Sequence, residues 1–189
     1  MTTYNTYADA ANTAVRAFLT SVGEYYLGEK FDKNSGSGKK KWETIIRNFD
    51  NKCAYCNKAK KLEMEHLVSI NRREYGLHHP GNIVPCCREC NKRRRKEIVD
   101  DESGKKKKVE VNWKEQLSII CKNDKTAFEE RSNRVEKSIR DNSYPDLSDN
   151  EKNSIRVMAE FLYERIKQTG GNATMLYNEL VKSFVKNKV

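Results

Sequence analysis

The 189-residue chain contains no apolar run approaching the roughly 18 residues that a membrane-spanning helix needs. Its start, Met1-Thr2-Thr3-Tyr4-Asn5-Thr6, has neither a charged nor an apolar leader segment. No secretory signal is therefore expected, and the expected setting is cytoplasmic, where thiols stay reduced and structural disulfides are rare. Internal repeats and basic amphipathic helices of the membrane-surface kind are also missing. Apolar material is limited, at 37% hydrophobic against 34% charged residues. Together with the length, this suits one ordinary domain, or a small core with an appended one. Aromatics at 9% and several periodic apolar stripes exclude wholesale disorder.

What is abundant is positive charge, and it is unevenly spread. The net charge is +10, yet residues 1–38 sum to −1 and residues 109–189 to +1. The excess belongs to residues 39–108, with 20 basic and 10 acidic side chains. Such a segment points to an acidic polymer partner.

Apolar periodicity predicts a helix over 8–27, with a stripe of Ala11, Val15, Phe18/Leu19, Val22 and Tyr25/Tyr26 ending at Gly28. A flexible basic loop over 29–41 and a short helix over 42–49 are expected next. Leu62–Ile70 has room for a strand or two, 75–85 reads as loop, and 89–98 as a helix. Residues 99–111 read as a charged linker. Beyond it the chain reads as helical. Ser148-Asp149-Asn150-Glu151 is a capping-box signature, and Gly170-Gly171 is expected to separate a last helix. Core packing is the ordinary reading of these stripes. The domain division is then 1–41, 42–98, 99–111 and 112–189, an α+β, mostly helical chain with helices flanking a small central core.

Six cysteines in a reducing setting need a purpose. Cys53-Ala-Tyr-Cys56 and Cys87-Arg-Glu-Cys90 form two CxxC pairs. Two such knuckles suit a tetrahedral Zn²⁺ site of four thiolates, closed and hence structural. A thioredoxin-like redox pair would need a βαβ context that neither motif has. Cys86 and Cys121 are left over.

Between the knuckles lie Glu65-His66 and Gly81-Asn82-Ile83-Val84-Pro85, and Asn91-Lys92 follows the last cysteine. In this order the elements resemble the HNH endonuclease family, over roughly residues 42–98. The resemblance implies a zinc-braced ββα-metal core that hydrolyses phosphodiesters. It makes His66 the general base, Glu65 and Asn91 the ligands of a catalytic Mg²⁺ or Mn²⁺, and Asn82 the brace of the loop that orients the histidine. The expected ends are 5′-phosphate and 3′-hydroxyl. The chain departs from the family's commoner pattern at three places: Glu65 stands where Asp is usual, Ser69 where a proline is common, and Cys86 where a leucine-like residue is usual.

Arg88, Lys92, Arg93, Arg94, Arg95 and Lys96 lie on or beside the helix expected over 89–98, as candidate phosphate contacts. Lys39–Lys41, Lys60-Lys61 and Arg72-Arg73 would extend them, and His78 and His79 read as loop residues. The first expectation is thus a DNA endonuclease of restriction or phage defence. Its helical flanks would serve target reading, homodimerisation or docking to a larger defence complex. A non-catalytic zinc-knuckle module for nucleic acid, or an HNH nuclease acting on RNA, are the alternatives.

Overall fold

The computed structural model describes residues 6–99, 104 and 106–186, and it is a mixed α+β structure. Five helices and two antiparallel hairpins make up the described residues. They are α1 (Tyr7–Leu27), α2 (Gly36–Asn48), β1 (Leu62–His66), β2 (Ile83–Cys87), β3 (Arg95–Val99), β4 (Lys106–Glu110), α3 (Trp113–Cys121), α4 (Lys125–Asp141) and α5 (Asp149–Lys186). Among them no helix is long and apolar enough to cross a membrane.

Two apolar cores support these elements. In the first, α1 and α5 run antiparallel, with Ala11, Val15 and Leu19 packed against Ile155, Ala159 and Tyr163. Tyr26 donates its hydroxyl proton to Glu151 at one end of the pair (2.7 Å), and the Tyr7 ring abuts Gly170 at the other. The second core lies beneath the cysteine-bearing hairpin. Trp42, Ile45 and Phe49 of α2 meet Tyr55, Val84, Leu117 and Val135 there. The stripe expected over 8–27 thus becomes a buried face of α1.

Caps set several boundaries. Thr6 accepts the Asp9 amide at the start of α1, and Gly28 closes it in the left-handed conformation (φ 77°). At α5 the Ser148 amide donates to Glu151 (2.8 Å) and the Glu151 amide to Ser148 Oγ (3.3 Å), the reciprocal capping box expected there.

Five expectations about elements are corrected. The loop over 29–41 ends early, because α2 starts at Gly36 rather than near residue 42. Gly38 is part of that helix, and a Cβ there would lie 2.4 Å from the Asp32 amide nitrogen, so the turn closes only without a side chain. Gly170-Gly171 does not divide the last helix, and α5 runs through it. A Cβ on Gly170 would stand 2.3 Å from Tyr7 Cδ1, so this glycine serves close approach.

The helix expected over 89–98 is instead a turn followed by β3, which pairs with β4 from Arg95↔Glu110 to Val99↔Lys106. A helix there would stack Arg88, Lys92, Arg95 and Lys96 at three- and four-residue spacing, which repels. Extended backbone also lets Gln116 tie the segment down. Gln116 accepts the Arg94 amide (3.2 Å) and donates to the Cys90 carbonyl (3.1 Å). The linker expected over 99–111 therefore contains β4, while residues 100–103 and 105 lie outside the described residues. The loop expected over 75–85 ends in a 3₁₀ turn, Pro80–Asn82, and β2.

Candidate functional site

The two knuckles meet at the same end of the first hairpin, where Cys87 of β2 pairs with Leu62 of β1. Ala54 donates its amide to Pro85 (2.8 Å), fastening the first knuckle to β2, and Asn57 turns it back with φ 55°. The Cys90 and Asn91 amides both donate to the Cys87 carbonyl (3.0 and 2.9 Å), closing the second. The result brings the Sγ atoms of Cys53, Cys56, Cys87 and Cys90 within 4.8 Å of one another. Cys56 and Cys87 are 3.8 Å apart. A tetrahedral zinc–thiolate centre with Zn–S of about 2.3 Å has S–S edges of about 3.8 Å. The cluster could thus hold a metal such as zinc. Cys86, fully buried, bonds the Cys87 carbonyl instead (3.4 Å).

Glu65 and His66 end β1, where they pair with Val84 and Ile83. They line one polar cleft of about 380 Å³ with Asn91, Asn71, Arg16 and Arg93. Asn91 follows the second knuckle, so the turn built around Cys87–Cys90 carries it to the hairpin, where its side-chain amide reaches Glu63 (3.4 Å). Asn82 clamps the loop that follows His66. It accepts the Val68 amide and donates to the carbonyls of Val68 and Leu77, each at 2.8 Å. Its side chain is 2% exposed, so these bonds replace its hydration completely.

Arg93 is not a surface contact. Its side chain is 5% exposed and donates Nε–H to Glu65 Oε1 (2.8 Å). Its Nη2 reaches the carbonyls of His66 and Leu67, and Nη1 stands 3.5 Å from Glu74. The other basic residues of this segment, Arg88, Lys92, Arg94, Arg95 and Lys96, are exposed. They lie on the turn and on β3 rather than along a helix, with Arg95 beside Glu110 (3.8 Å) and Lys96 paired with Glu115.

Burial sets the electrostatics. The His66 imidazole is held down at about 3, by desolvation first and then by His78, Arg93 and Arg16, so it is neutral at pH 7. Burial lifts the Glu65 carboxyl above its ordinary value, although Arg93 pulls the other way. His79, which the sequence left in the loop, is 2% exposed and down at about 4, through burial and then Lys41. Its Nδ1 accepts the Gly81 amide (3.1 Å), capping the 3₁₀ turn.

Sequence reasoning passed over three members of this site. Arg16 comes from α1, far outside the motif segment. Glu74 accepts the Ser69 amide (2.9 Å) as well as facing Arg93. His78 hydrogen-bonds His66, Nδ1 to Nε2, at 2.9 Å. The adjacent His78-His79 pair beside buried Leu77 was the one signal that this loop carries more than solvent-facing side chains. Chemically, the cleft offers a neutral imidazole, oxygen donors and fixed positive charge side by side. Searches against protein-family models, curated proteins and solved structures found nothing that matches this chain.

Proposed function

We propose that the chain is an HNH-type endonuclease that hydrolyses phosphodiester bonds in DNA, with His66 as general base and a structural zinc on Cys53, Cys56, Cys87 and Cys90. The observation that carries this reading is the convergence of Glu65, His66 and Asn91 on one polar cleft, from positions about 25 residues apart in sequence. A general base must be neutral before it acts, and the depressed His66 fulfils that at any pH above about 4.

In the proposed step, His66 takes a proton from water as the oxygen attacks phosphorus. The bond to the 3′ oxygen breaks, that oxygen acquires a proton from solvent, and the ends are 5′-phosphate and 3′-hydroxyl. Arg16, exposed at the cleft mouth, meets the flanking phosphate, and the exposed basic residues of the turn and β3 extend that contact. Arg93 acts indirectly, by holding Glu65 and the carbonyls of His66 and Leu67 in place.

The donor set also fits a hydrated divalent cation. Glu65 keeps one oxygen outside its bond to Arg93, and Asn91 keeps its carbonyl oxygen, since its amide is the group facing Glu63. These two residues would hold Mg²⁺ or Mn²⁺, which there would offset charge on the phosphate and the leaving oxygen.

The test incubates zinc-loaded protein with supercoiled plasmid, and in parallel with structured RNA, in Mg²⁺ or Mn²⁺. Nicking that falls by about 10²–10⁴-fold in His66→Ala, with DNA binding retained, supports the reading. Equal nicking by both proteins refutes His66 as base. Tight binding without cleavage by either assigns the chain to the non-catalytic zinc-knuckle class, and cleavage of RNA alone moves the substrate.

A further inference from the structure

Behind His66 lies a hydrogen-bonded chain that the nuclease reading does not itself require. His66 Nε2 and His78 Nδ1 are 2.9 Å apart, and His78 Nε2 is 3.0 Å from the carbonyl oxygen of Phe31, in the connection between α1 and α2. A carbonyl oxygen only accepts, so His78 must carry its hydrogen on Nε2. In the neutral ring its Nδ1 is then a bare acceptor, and the shared hydrogen of the 2.9 Å contact belongs to His66 Nε2. The opposite polarity would set two lone pairs against each other at Phe31.

We propose that His78 is a positioning residue, which holds His66 in the Nε2–H tautomer and leaves the Nδ1 lone pair of His66 as the base that faces the cleft. Among the described residues Nδ1 has no hydrogen-bond partner in the protein, and it is not one of the buried unpaired atoms, which are Tyr55 Oη and Arg93 Nη1. Its ring lines the cleft, so the free nitrogen is the one a water can reach. Tautomer selection by a neighbouring acceptor is how a histidine is committed to one nitrogen.

His78 is well placed for this because it cannot move independently. The Phe31 ring packs on it with centroids 5.1 Å apart, and the two imidazoles lie 5.2 Å apart, tilted by 45°. On its N-terminal side, the Leu77 amide donates to Tyr144 Oη (3.2 Å) and the Leu77 carbonyl accepts from Asn82. Helix α1 presses on its backbone through Gly23, where a Cβ would come within 2.3 Å of the His78 carbonyl oxygen. The N-terminal helices, read from sequence as a flank, thus furnish the far end of the relay.

The tautomer assignment stands on geometry alone, and its catalytic consequence rests on the nuclease reading. The test therefore has two readouts on the full zinc-loaded chain. The first is a long-range ¹H–¹⁵N correlation spectrum of ¹⁵N-histidine-labelled protein at pH 8, above the ordinary imidazole pKa of about 6.5. With only three histidines, His66 is assigned by the signal missing from His66→Ala. The second is plasmid nicking in Mg²⁺.

His78→Asn keeps an acceptor oxygen where Nδ1 stands. His78→Phe keeps a ring against Phe31 and removes the acceptor. Wild type and His78→Asn should show the Nε2–H pattern at His66 and nick within about threefold of each other, while His78→Phe should show mixed tautomers and lose at least about tenfold. A wild-type His66 protonated on Nδ1 overturns the proposal whether or not any variant folds. So does a His78→Phe protein with unchanged tautomer and unchanged nicking. Wild type that has the Nε2–H tautomer but cleaves nothing refutes the nuclease reading, while the spectrum upholds the assignment of the relay.

Discussion

Replacing Arg93 by Met keeps most of the unbranched stem of the side chain and removes its charged head. In the folded protein this strands Glu65, 8% exposed, without its 2.8 Å partner, and strips a donor from the Leu67 carbonyl. Removing one member of a buried ion pair costs about 3–5 kcal/mol, because the other charge is left desolvated. An unpaired carbonyl adds about 1–3 kcal/mol where water cannot replace the donor. The expected loss at pH 7 is therefore about 4–8 kcal/mol, measured by urea unfolding of zinc-loaded protein. An exposed phosphate contact, by contrast, would change stability by less than about 0.5 kcal/mol. Two further measurements isolate the cause. In Arg93→Met the carboxyl of Glu65 is driven further up, so the folded state holds a proton that the unfolded state releases. The deficit should shrink to the carbonyl's share below about pH 4.5 and grow as pH rises. Adding Glu65→Gln should recover more than half of it. A single variant within about 1 kcal/mol of wild type, or a double variant no better than the single, would refute the ion pair as the support of this cleft.

His66 and His79 are both kept neutral in the fold, near 3 and 4. Below about pH 6.5 the unfolded chain therefore takes up protons that the folded chain refuses, and stability should fall with pH by up to about 1.4 kcal/mol per unit for each histidine. His79→Asn preserves the cap at the 3₁₀ turn and should flatten the curve between pH 6 and 4 relative to wild type, in chemical unfolding at each pH. Cys90→Ser is expected to lose the metal and most thermal stability, whereas Cys86→Ala should retain one zinc per chain by elemental analysis, because its thiol faces the Cys87 carbonyl. Gly23→Ala would gain about 1 kcal/mol of helix propensity in isolation, yet it should destabilise the protein in thermal melts through its collision with the His78 carbonyl.

The parts of this molecule that sequence made visible are those fixed by local rules. The paired CxxC spacing announced a four-sulfur cluster, Ser148 and Glu151 announced a helix start, and the stripe over 8–27 announced α1. Adjacency likewise put Glu65 and His66 on the same strand end. What stayed hidden depends on partners distant in the chain. Arg93 sits inside a run of like charges that reads as a solvated face, and only Glu65 and Glu74 folding over it make it the buried member. The same run looked helical because nothing within it betrays Gln116, whose side chain holds the segment extended. Gly170 read as a helix stop because its partner, Tyr7, is at the other end of the sequence.

The loop between β1 and β2 is held from a place translated much later. Tyr75 donates to Glu160 (2.6 Å) across 85 residues, and the Arg72 guanidinium lies over the Tyr163 ring at 4.2 Å. A growing chain will have made both knuckles, β1 and β2 long before these anchors exist. Bringing together segments so far apart is the entropically costly part of assembly and comes after local pairing. The cysteine-bearing hairpin pairs locally, whereas the loop that lends Ser69, Ile70 and Asn71 to the cleft gains these two anchors only once α5 has emerged and docked, so this wall of the cleft is the last to be fastened.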